Sequence, residues 1–148
     1  MRIALTLLLF VSLGIACKKS NNCEGSNRDC SDTMCIAFWS YFEFKLTDKT
    51  TGADLVFGPN PKYTTSDIKL YYDAARTFSI GVLVDNSNRF LVMDAHEEMY
   101  LEIKGTDIYK LTAEFRDESC CSRRVKTLWR DGQMVCSCCP DAISLSIK

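Results

Sequence analysis

The chain has 148 residues, of which 47% are hydrophobic and 25% are charged, so it is too apolar for a disordered protein and suits one globular domain. Its 18 Lys and Arg residues nearly balance 19 Asp and Glu residues, which gives a formal net charge of -1 at pH 7. This balance excludes a strong overall positive field, and we expect no nucleic-acid partner.

The first residues combine a positive start with a short apolar run. Arg2 precedes the apolar segment 3–13, and polar residues take over from Cys17. A membrane-spanning helix needs about 20 apolar residues, so this run is too short to span a bilayer and is typical of a secretion signal. We therefore predict a signal peptide over residues 1–16 and an exported protein without a transmembrane helix.

The end of this segment carries a family resemblance. Leu13-Gly14-Ile15-Ala16-Cys17 resembles a lipobox, and Lys18-Lys19 resembles the start of many lipoproteins of the Bacteroidota. The resemblance implies acylation of Cys17 and a membrane partner reached through the lipid anchor. Surface-export signals of such lipoproteins tend to be acidic, whereas residues 18–22 carry no acidic residue. The resemblance thus implies a cell-envelope protein on the outer membrane, facing the periplasm.

Residues 17–35 form a polar stretch without hydrophobic periodicity, which predicts a tether rather than a packed element. Cys23, Cys30 and Cys35 punctuate this tether. Disulfide bonds from these cysteines would fix it to the folded body.

From residue 36 onward the hydrophobic period is two, which indicates β-strands. In the first strand Phe38, Phe42, Phe44 and Leu46 share one face. Similar patterns predict further strands within 68–72, 78–84, 90–93, 99–103, 109–115, 125–135 and 143–147.

Turn residues separate these segments and predict two hairpins. One turns at Gly105-Thr106-Asp107, and the other turns at Asp131-Gly132, a pair typical of tight hairpins. We predict one all-β domain over 36–148, an antiparallel β-sandwich of immunoglobulin-like or transthyretin-like shape stapled by disulfides, with a barrel as the alternative.

Lipidation of Cys17 would leave eight cysteines, an even number that suits four disulfides in an exported protein. Three lie in the tether and five near the chain's end, so complete pairing requires at least one bond between the groups. Adjacent cysteines rarely bridge each other, and we expect different partners for Cys120 and Cys121. The candidates are Cys23, Cys30, Cys35, Cys120, Cys121, Cys136, Cys138 and Cys139.

The spacing of Cys136 and Cys139 also permits a redox or metal-handling function. A thioredoxin-like dithiol needs a helix N-terminus to stabilise its thiolate, whereas this segment is predicted as hairpin and turn. A zinc site needs reduced thiols, which an oxidising compartment disfavours. We favour structural disulfides and expect neither metal nor cofactor.

Three other features invite functional interpretations. The single histidine, His96, lies among Asp94, Glu97 and Glu98, but no motif supplies a nucleophile, so we interpret it as a surface residue and expect no enzyme.

Aromatic residues could form a glycan or protein surface or could be covered by the fold. These are Trp39, Tyr41, Tyr63, Tyr71 and Tyr72. Arg123, Arg124 and Lys126 form a basic spot that we interpret as solvated charge.

The sequence hypothesis is a membrane-anchored envelope lipoprotein whose domain is a non-enzymatic binding or structural module for a protein or glycan. The alternative is a redox-active or metal-handling envelope protein that uses the C-terminal cysteines.

Overall fold

The computed structural model describes Cys23 and residues 29–148. The predicted signal peptide, Cys17 and most of the predicted tether lie outside the described residues. The described part contains ten strands, one 3-10 turn at Thr65–Asp67 and no α-helix. None of its elements is a helix long and apolar enough to cross a membrane.

The strands account for the alternating segments in chain order. They are β1 (Trp39–Asp48), β2 (Ile68–Tyr71), β3 (Ser79–Ile80), β4 (Val82–Val84), β5 (Phe90–Val92), β6 (Glu98–Ile103), β7 (Asp107–Ser119), β8 (Ser122–Arg130), β9 (Gln133–Ser137) and β10 (Ala142–Ile147). The prediction of an all-β, disulfide-bonded domain is confirmed.

Strand β1 shows how the sequence pattern builds the core. Phe42, Phe44 and Leu46 point inward and are at most 2% exposed. The ring of Phe44 stacks on Phe42 at a centroid distance of 5.7 Å and on Phe90 of β5 at 5.1 Å. Burying each such side chain stabilises the fold by about 1.5–3 kcal/mol. Phe38 was predicted on the same face, but it precedes the strand and is half exposed.

Both predicted hairpins are confirmed. Strands β6 and β7 pair antiparallel up to Ile103 and Asp107, which flank the first turn. Strands β8 and β9 pair up to Arg130 and Gln133, around a two-residue turn. Asp131 (φ 51°) and Gly132 (φ 77°) both have positive φ, as a tight turn matched to the strand twist requires.

The predicted purely antiparallel arrangement is wrong, because β1 has two parallel partners. Residues Trp39–Tyr41 pair with the start of β8, and the second half of β1 pairs with β10. The other edge of β1 pairs antiparallel with β5. Side chains alternate with period two in both kinds of ladder, so alternation could not reveal the direction of pairing.

The mixed sheet nearly closes on itself. Its strand order is β3-β2-β6-β7-β8-β1-β5-β4, with β9 added to β8 and β10 added to β1. Its two ends, β3 and β4, are separated along the chain by Gly81 alone, so the single strand predicted over 78–84 is split. Ile80 on β3 is buried, whereas Leu83 and Val84 on β4 are exposed.

Strands β1 and β8 pair only at their starts and then diverge. Strand β9 extends the pairing of β8 and β10 extends that of β1, and no ladder joins β9 to β10 within the described residues. A cleft of about 200 Å³ lies between these two strands, lined by Met134 and Val135 on one side and Ser144 and Ser146 on the other.

Candidate functional site

The eight described cysteines form four disulfides. Three of them join the tether to the C-terminal group, with Cα–Cα distances of 5.0–5.5 Å: Cys23–Cys138, Cys30–Cys120 and Cys35–Cys121. The fourth, Cys136–Cys139, joins two residues of the C-terminal group. The expected bond between the groups is thus present three times, and Cys120 and Cys121 have different partners. Cys17 lies outside the described residues.

These bonds fix the tether at one end of the sheet. Cys120 and Cys121 form the turn between β7 and β8, and the backbone N–H of Trp39 donates to the carbonyl of Cys121 at 3.0 Å. We name this region, where β1 and β8 begin, the disulfide end. Its bonds connect the first described residues to the last third of the chain, which is what a structural staple does.

The C-x-x-C spacing that suggested redox chemistry lies at the junction of β9 and β10. Cys139 is 1% exposed, and its backbone N–H donates to the carbonyl of Lys126 at 2.9 Å. The segment is strand and turn, so the helix N-terminus that lowers the pKa of a reactive thiol is not part of this site. Among the described residues, no group of three or more His, Cys, Asp or Glu side chains is placed to hold a metal ion.

His96 belongs to a small surface cluster. Its ring packs edge-on against Tyr72 at 4.6 Å, and its Nε2 lies 3.9 Å from Asp94 Oδ2. The Tyr72 hydroxyl donates to the same carboxylate at 3.3 Å. Partial burial and the negative charge of Asp94 raise the pKa of Tyr72. The Tyr72 hydroxyl therefore stays protonated at neutral pH and does not accept a proton from the His96 imidazole.

The five aromatic residues do not form one surface, which was the less favoured of the two interpretations. Tyr63 is buried in the core, and Tyr71 and Tyr72 lie on the β2 side of the sheet. Three strands, β6, β7 and β8, separate β2 from the β1 residues Trp39 and Tyr41. Of the five aromatic residues, Trp39 is the most exposed, at 46%.

Within the predicted basic spot, Arg124 is neutralised by neighbouring carboxylates. The guanidinium of Arg124 lies over the Tyr41 ring at 4.9 Å and pairs with Glu118 and Asp141. The Tyr41 hydroxyl accepts from Arg124 and donates to Glu118. Partial burial and this bond to Glu118 raise the pKa of Tyr41.

Arg123 is also engaged. Its guanidinium lies 4.4 Å from the Phe115 ring centroid and 5.8 Å from that of Phe38, while its Nε donates to Ser40 Oγ at 2.6 Å. Lys126 is the exposed member of the three. The interpretation of the basic spot as free, solvated charge is therefore wrong for the two arginines.

Sequence reasoning missed a shallow depression of about 790 Å³ on the outer face of β7 and β8. Phe115 and Trp129, both partly buried, supply its apolar surface. Its polar lining includes Glu97, Thr112, Glu114 and Lys126. We name this surface the Trp129 depression.

Two register shifts shape this face. One lies between Glu114 and Phe115 in the β7–β8 ladder, and the other lies between Leu128 and Trp129 in the β8–β9 ladder. Such bulges bend a strand and redirect side chains. Leu128 is fully buried, and its neighbour Trp129, on the opposite face of β8, faces the depression opposite Thr112. Period-two alternation carries no signal for these shifts, although Trp129 beside the Asp131-Gly132 turn marked the right hairpin.

No family model matches the chain, and neither the curated proteins nor the solved structures contain a significant match. Functional inference therefore depends on the chain's own residues.

Proposed function

We propose that this chain is a lipid-anchored envelope protein whose disulfide-bonded β-domain is a non-enzymatic binding module. Cysteine pairing carries the proposal. The eight described cysteines are paired in four disulfides. None of them is left to pair with the ninth cysteine, Cys17, which belongs to the lipobox-like segment. Four disulfides are typical of an oxidising compartment such as the periplasm, where outer-membrane lipoproteins facing inward reside.

We also propose that the mixed sheet is organised as a sandwich of the immunoglobulin-like or transthyretin-like type. One layer would contain β4, β5, β1 and β10, and the other β3, β2, β6, β7, β8 and β9, with β1 shared at its start. The divergence of β1 from β8 supports this two-layer arrangement over a round barrel. An experimental structure with continuous pairing along the whole of β1 and β8 would contradict it.

The Trp129 depression is the binding surface that we assign to the module, and its lining suits a glycan. An indole face packs against the C–H face of a sugar ring, while carboxylates, an amine and a hydroxyl can bond sugar hydroxyls. Trp129 supplies the first kind of contact, and Glu114, Lys126 and Thr112 supply the second. A stable protein interface buries about 800 Å² on each partner, far more surface than this depression offers.

Intact mass spectrometry of protein isolated from its native envelope tests the lipid anchor. We expect a mass that includes acyl chains on Cys17, loss of that mass in a Cys17→Ser variant, and alkylation of the other eight cysteines only after reduction. An unacylated Cys17 in the mature protein would contradict the anchor.

A glycan array followed by calorimetric titration tests the depression. Replacing Trp129 by Ala should weaken binding about tenfold, because covering about 55 Å² of apolar surface contributes about 1.4 kcal/mol. The matched control is Trp39→Ala, which removes the other tryptophan of the chain and should leave affinity unchanged. Absence of glycan binding, or equal affinity of the Trp129→Ala variant, would exclude this ligand class.

The second candidate function is redox or metal handling by the C-terminal cysteines. The observation in its favour is the Cys136–Cys139 disulfide, which closes a C-x-x-C spacing. The burial of Cys139 opposes it, because a reactive cysteine must be reached by its partner. Alkylation of Cys136, Cys138 or Cys139 without prior reduction, or zinc that remains bound during purification, would favour this function over the binding module.

A further inference from the structure

We propose that the disulfide end of the domain rests on the lipid bilayer and inserts four exposed apolar side chains into its interface. This inference depends on the proposed acylation of Cys17. The four side chains are Met34, Ile36, Phe38 and Trp39, which we name the apolar strip. They lie within six consecutive residues.

The apolar strip is unusually exposed. Met34 is 92% exposed and Ile36 103%, while Phe38 and Trp39 are about half exposed. A contiguous group of exposed apolar residues marks an interaction surface, because each would gain free energy on leaving water. Aromatic residues such as Trp39 and Phe38 favour the boundary between headgroups and acyl chains.

The Cys23–Cys138 disulfide limits how far the anchor can lie from the folded domain. Cys17 is six positions before Cys23, so the acylated cysteine lies within about 20 Å of the disulfide even with the chain fully extended. Without this bond the first fixed position would be Cys30, and the reach would grow to about 45 Å. The disulfide therefore shortens the tether and keeps the domain close to the membrane that carries the anchor.

Cys138 lies near the middle of β8, half the length of that strand away from the apolar strip. The backbone N–H of Cys139 donates to Lys126, four residues after the start of β8 at Ser122, and four residues of strand span about 13 Å. Ser122 pairs with Trp39. The bilayer that takes the acyl chains is consequently within reach of the strip.

The strip is held in place and has positive charge beside it. Cys35 lies within it and is bonded to Cys121 at the β7–β8 turn. The Arg123 guanidinium lies 5.8 Å from the ring centroid of Phe38. Lys18 and Lys19 follow the proposed acylation site directly. Asp32, Asp117 and Glu118 carry negative charge at the same end, so we assign the bilayer contact to the apolar side chains and not to charge.

The chain's two tryptophans, Trp39 and Trp129, provide a direct test. The acylated full-length protein is inserted into vesicles of phosphatidylethanolamine and phosphatidylglycerol with brominated acyl chains, which quench nearby indole fluorescence. In a Trp129→Phe variant the remaining Trp39 should be strongly quenched. In the matched Trp39→Phe variant the remaining Trp129, at the far end of β8, should keep its fluorescence.

The outcomes separate this inference from the proposed function. Vesicle-bound, acylated protein whose Trp39 is not quenched overturns the membrane contact and leaves the lipid anchor intact. A mature protein without acyl chains on Cys17 overturns both.

A Cys23→Ser/Cys138→Ser variant of the Trp129→Phe protein tests the role of the disulfide. Its longer tether should reduce the quenching of Trp39, and circular dichroism should show an unchanged β-fold because three disulfides remain. Unchanged quenching in this variant would overturn the proposed contribution of the disulfide.

Discussion

Glu102 shows how one ion pair attaches a loop to the sheet. Its carboxylate lies on the outer face of β6 and is nevertheless buried, with the residue 6% exposed. Arg76, in the loop between β2 and β3, covers it and donates from Nη1 to Oε2 at 2.7 Å. A buried carboxylate without such a partner is strongly destabilising.

Replacing Arg76 by Ala should therefore lower the free energy of unfolding by about 1–3 kcal/mol, measured by denaturant titration. The double variant Arg76→Ala/Glu102→Gln should lose less, because the uncompensated charge is then removed as well. Lys49→Ala, at an exposed turn, is the control and should change stability by less than about 0.5 kcal/mol. A loss in the Arg76 variant no larger than in this control would refute the role of the ion pair.

Two aspartates make turns sensitive to acid. The pKa of Asp48 is lowered by hydrogen bonds from the Thr51 backbone and side chain and from the Thr50 backbone. The pKa of Asp67 is lowered by bonds from the Thr64 backbone and hydroxyl. Both carboxylates are less readily protonated in the folded than in the unfolded chain. Their stabilisation is thus present above the unfolded value of 3.8 and is lost as pH falls through the lower folded pKa.

Amide hydrogen exchange should report this loss. After correction for the intrinsic pH dependence of exchange, protection of the Thr51 and Thr64 amides should fall below about pH 4, while that of Leu101 in β6 should persist. Equal loss at all three amides would indicate global unfolding instead of local opening of the turns.

At the scale of elements, the chain offers two exposed glycines for comparison. Gly132 has φ 77° in the β8–β9 turn, where a side chain is strained. Gly81 joins β3 to β4 without a positive φ, and a Cβ there would meet no atom within 4 Å. We expect Gly132→Ala to cost about 1 kcal/mol or more of unfolding free energy in thermal or chemical denaturation.

Gly81→Ala is the matched control. It should be neutral or stabilising by up to about 1 kcal/mol, because it restricts the unfolded chain without straining the fold. A larger loss at Gly81 than at Gly132 would contradict the backbone assignment of both positions.

The elements also show how far the sequence could be interpreted. Alternation located the strands, and the Asp131-Gly132 pair located a hairpin, because both signals are local. The parallel partners of β1 were missed, because Phe44 is buried equally well in either ladder. Phe38 and Phe78 fit the alternation but lie beyond the strand ends and are exposed.

The candidate site was less predictable than the fold. The eight cysteines could be recognised, and one bond between their groups could be deduced from parity, but the individual pairs depend on the strand order. The Trp129 depression lies beside register shifts in two ladders, which change the residues that neighbour Trp129. No local pattern in the sequence records where a strand gains one unpaired residue.

At the scale of the molecule, the disulfides differ most in the length of chain that they enclose. Cys30 and Cys120 are 90 residues apart, whereas Cys136 and Cys139 are three apart. In the chain-entropy model the first bond contributes about 4.5 kcal/mol when no other bond joins the tether to the C-terminal cysteines, and the second contributes about 2 kcal/mol.

Serine pairs at these positions should therefore lower the midpoint of thermal unfolding unequally. We expect the larger decrease for Cys30→Ser/Cys120→Ser, measured by calorimetry in a background in which Cys23→Ser/Cys138→Ser and Cys35→Ser/Cys121→Ser remove the other two long-range bonds. Equal decreases, or a larger one for the short loop, would show that local packing around Cys139 outweighs the effect on the unfolded chain.

The parallel pairing of β1 with β8 and β10 also sets the order of assembly. Two of the three ladder partners of the first strand come from the last 27 residues of the chain, and one of them is the last strand itself. Until β8 has emerged, β1 can therefore pair only with β5, and its longest ladder forms only once β10 follows. A chain cut before residue 142 would leave its core open along one edge of β1, so the fold closes only when β10 is added.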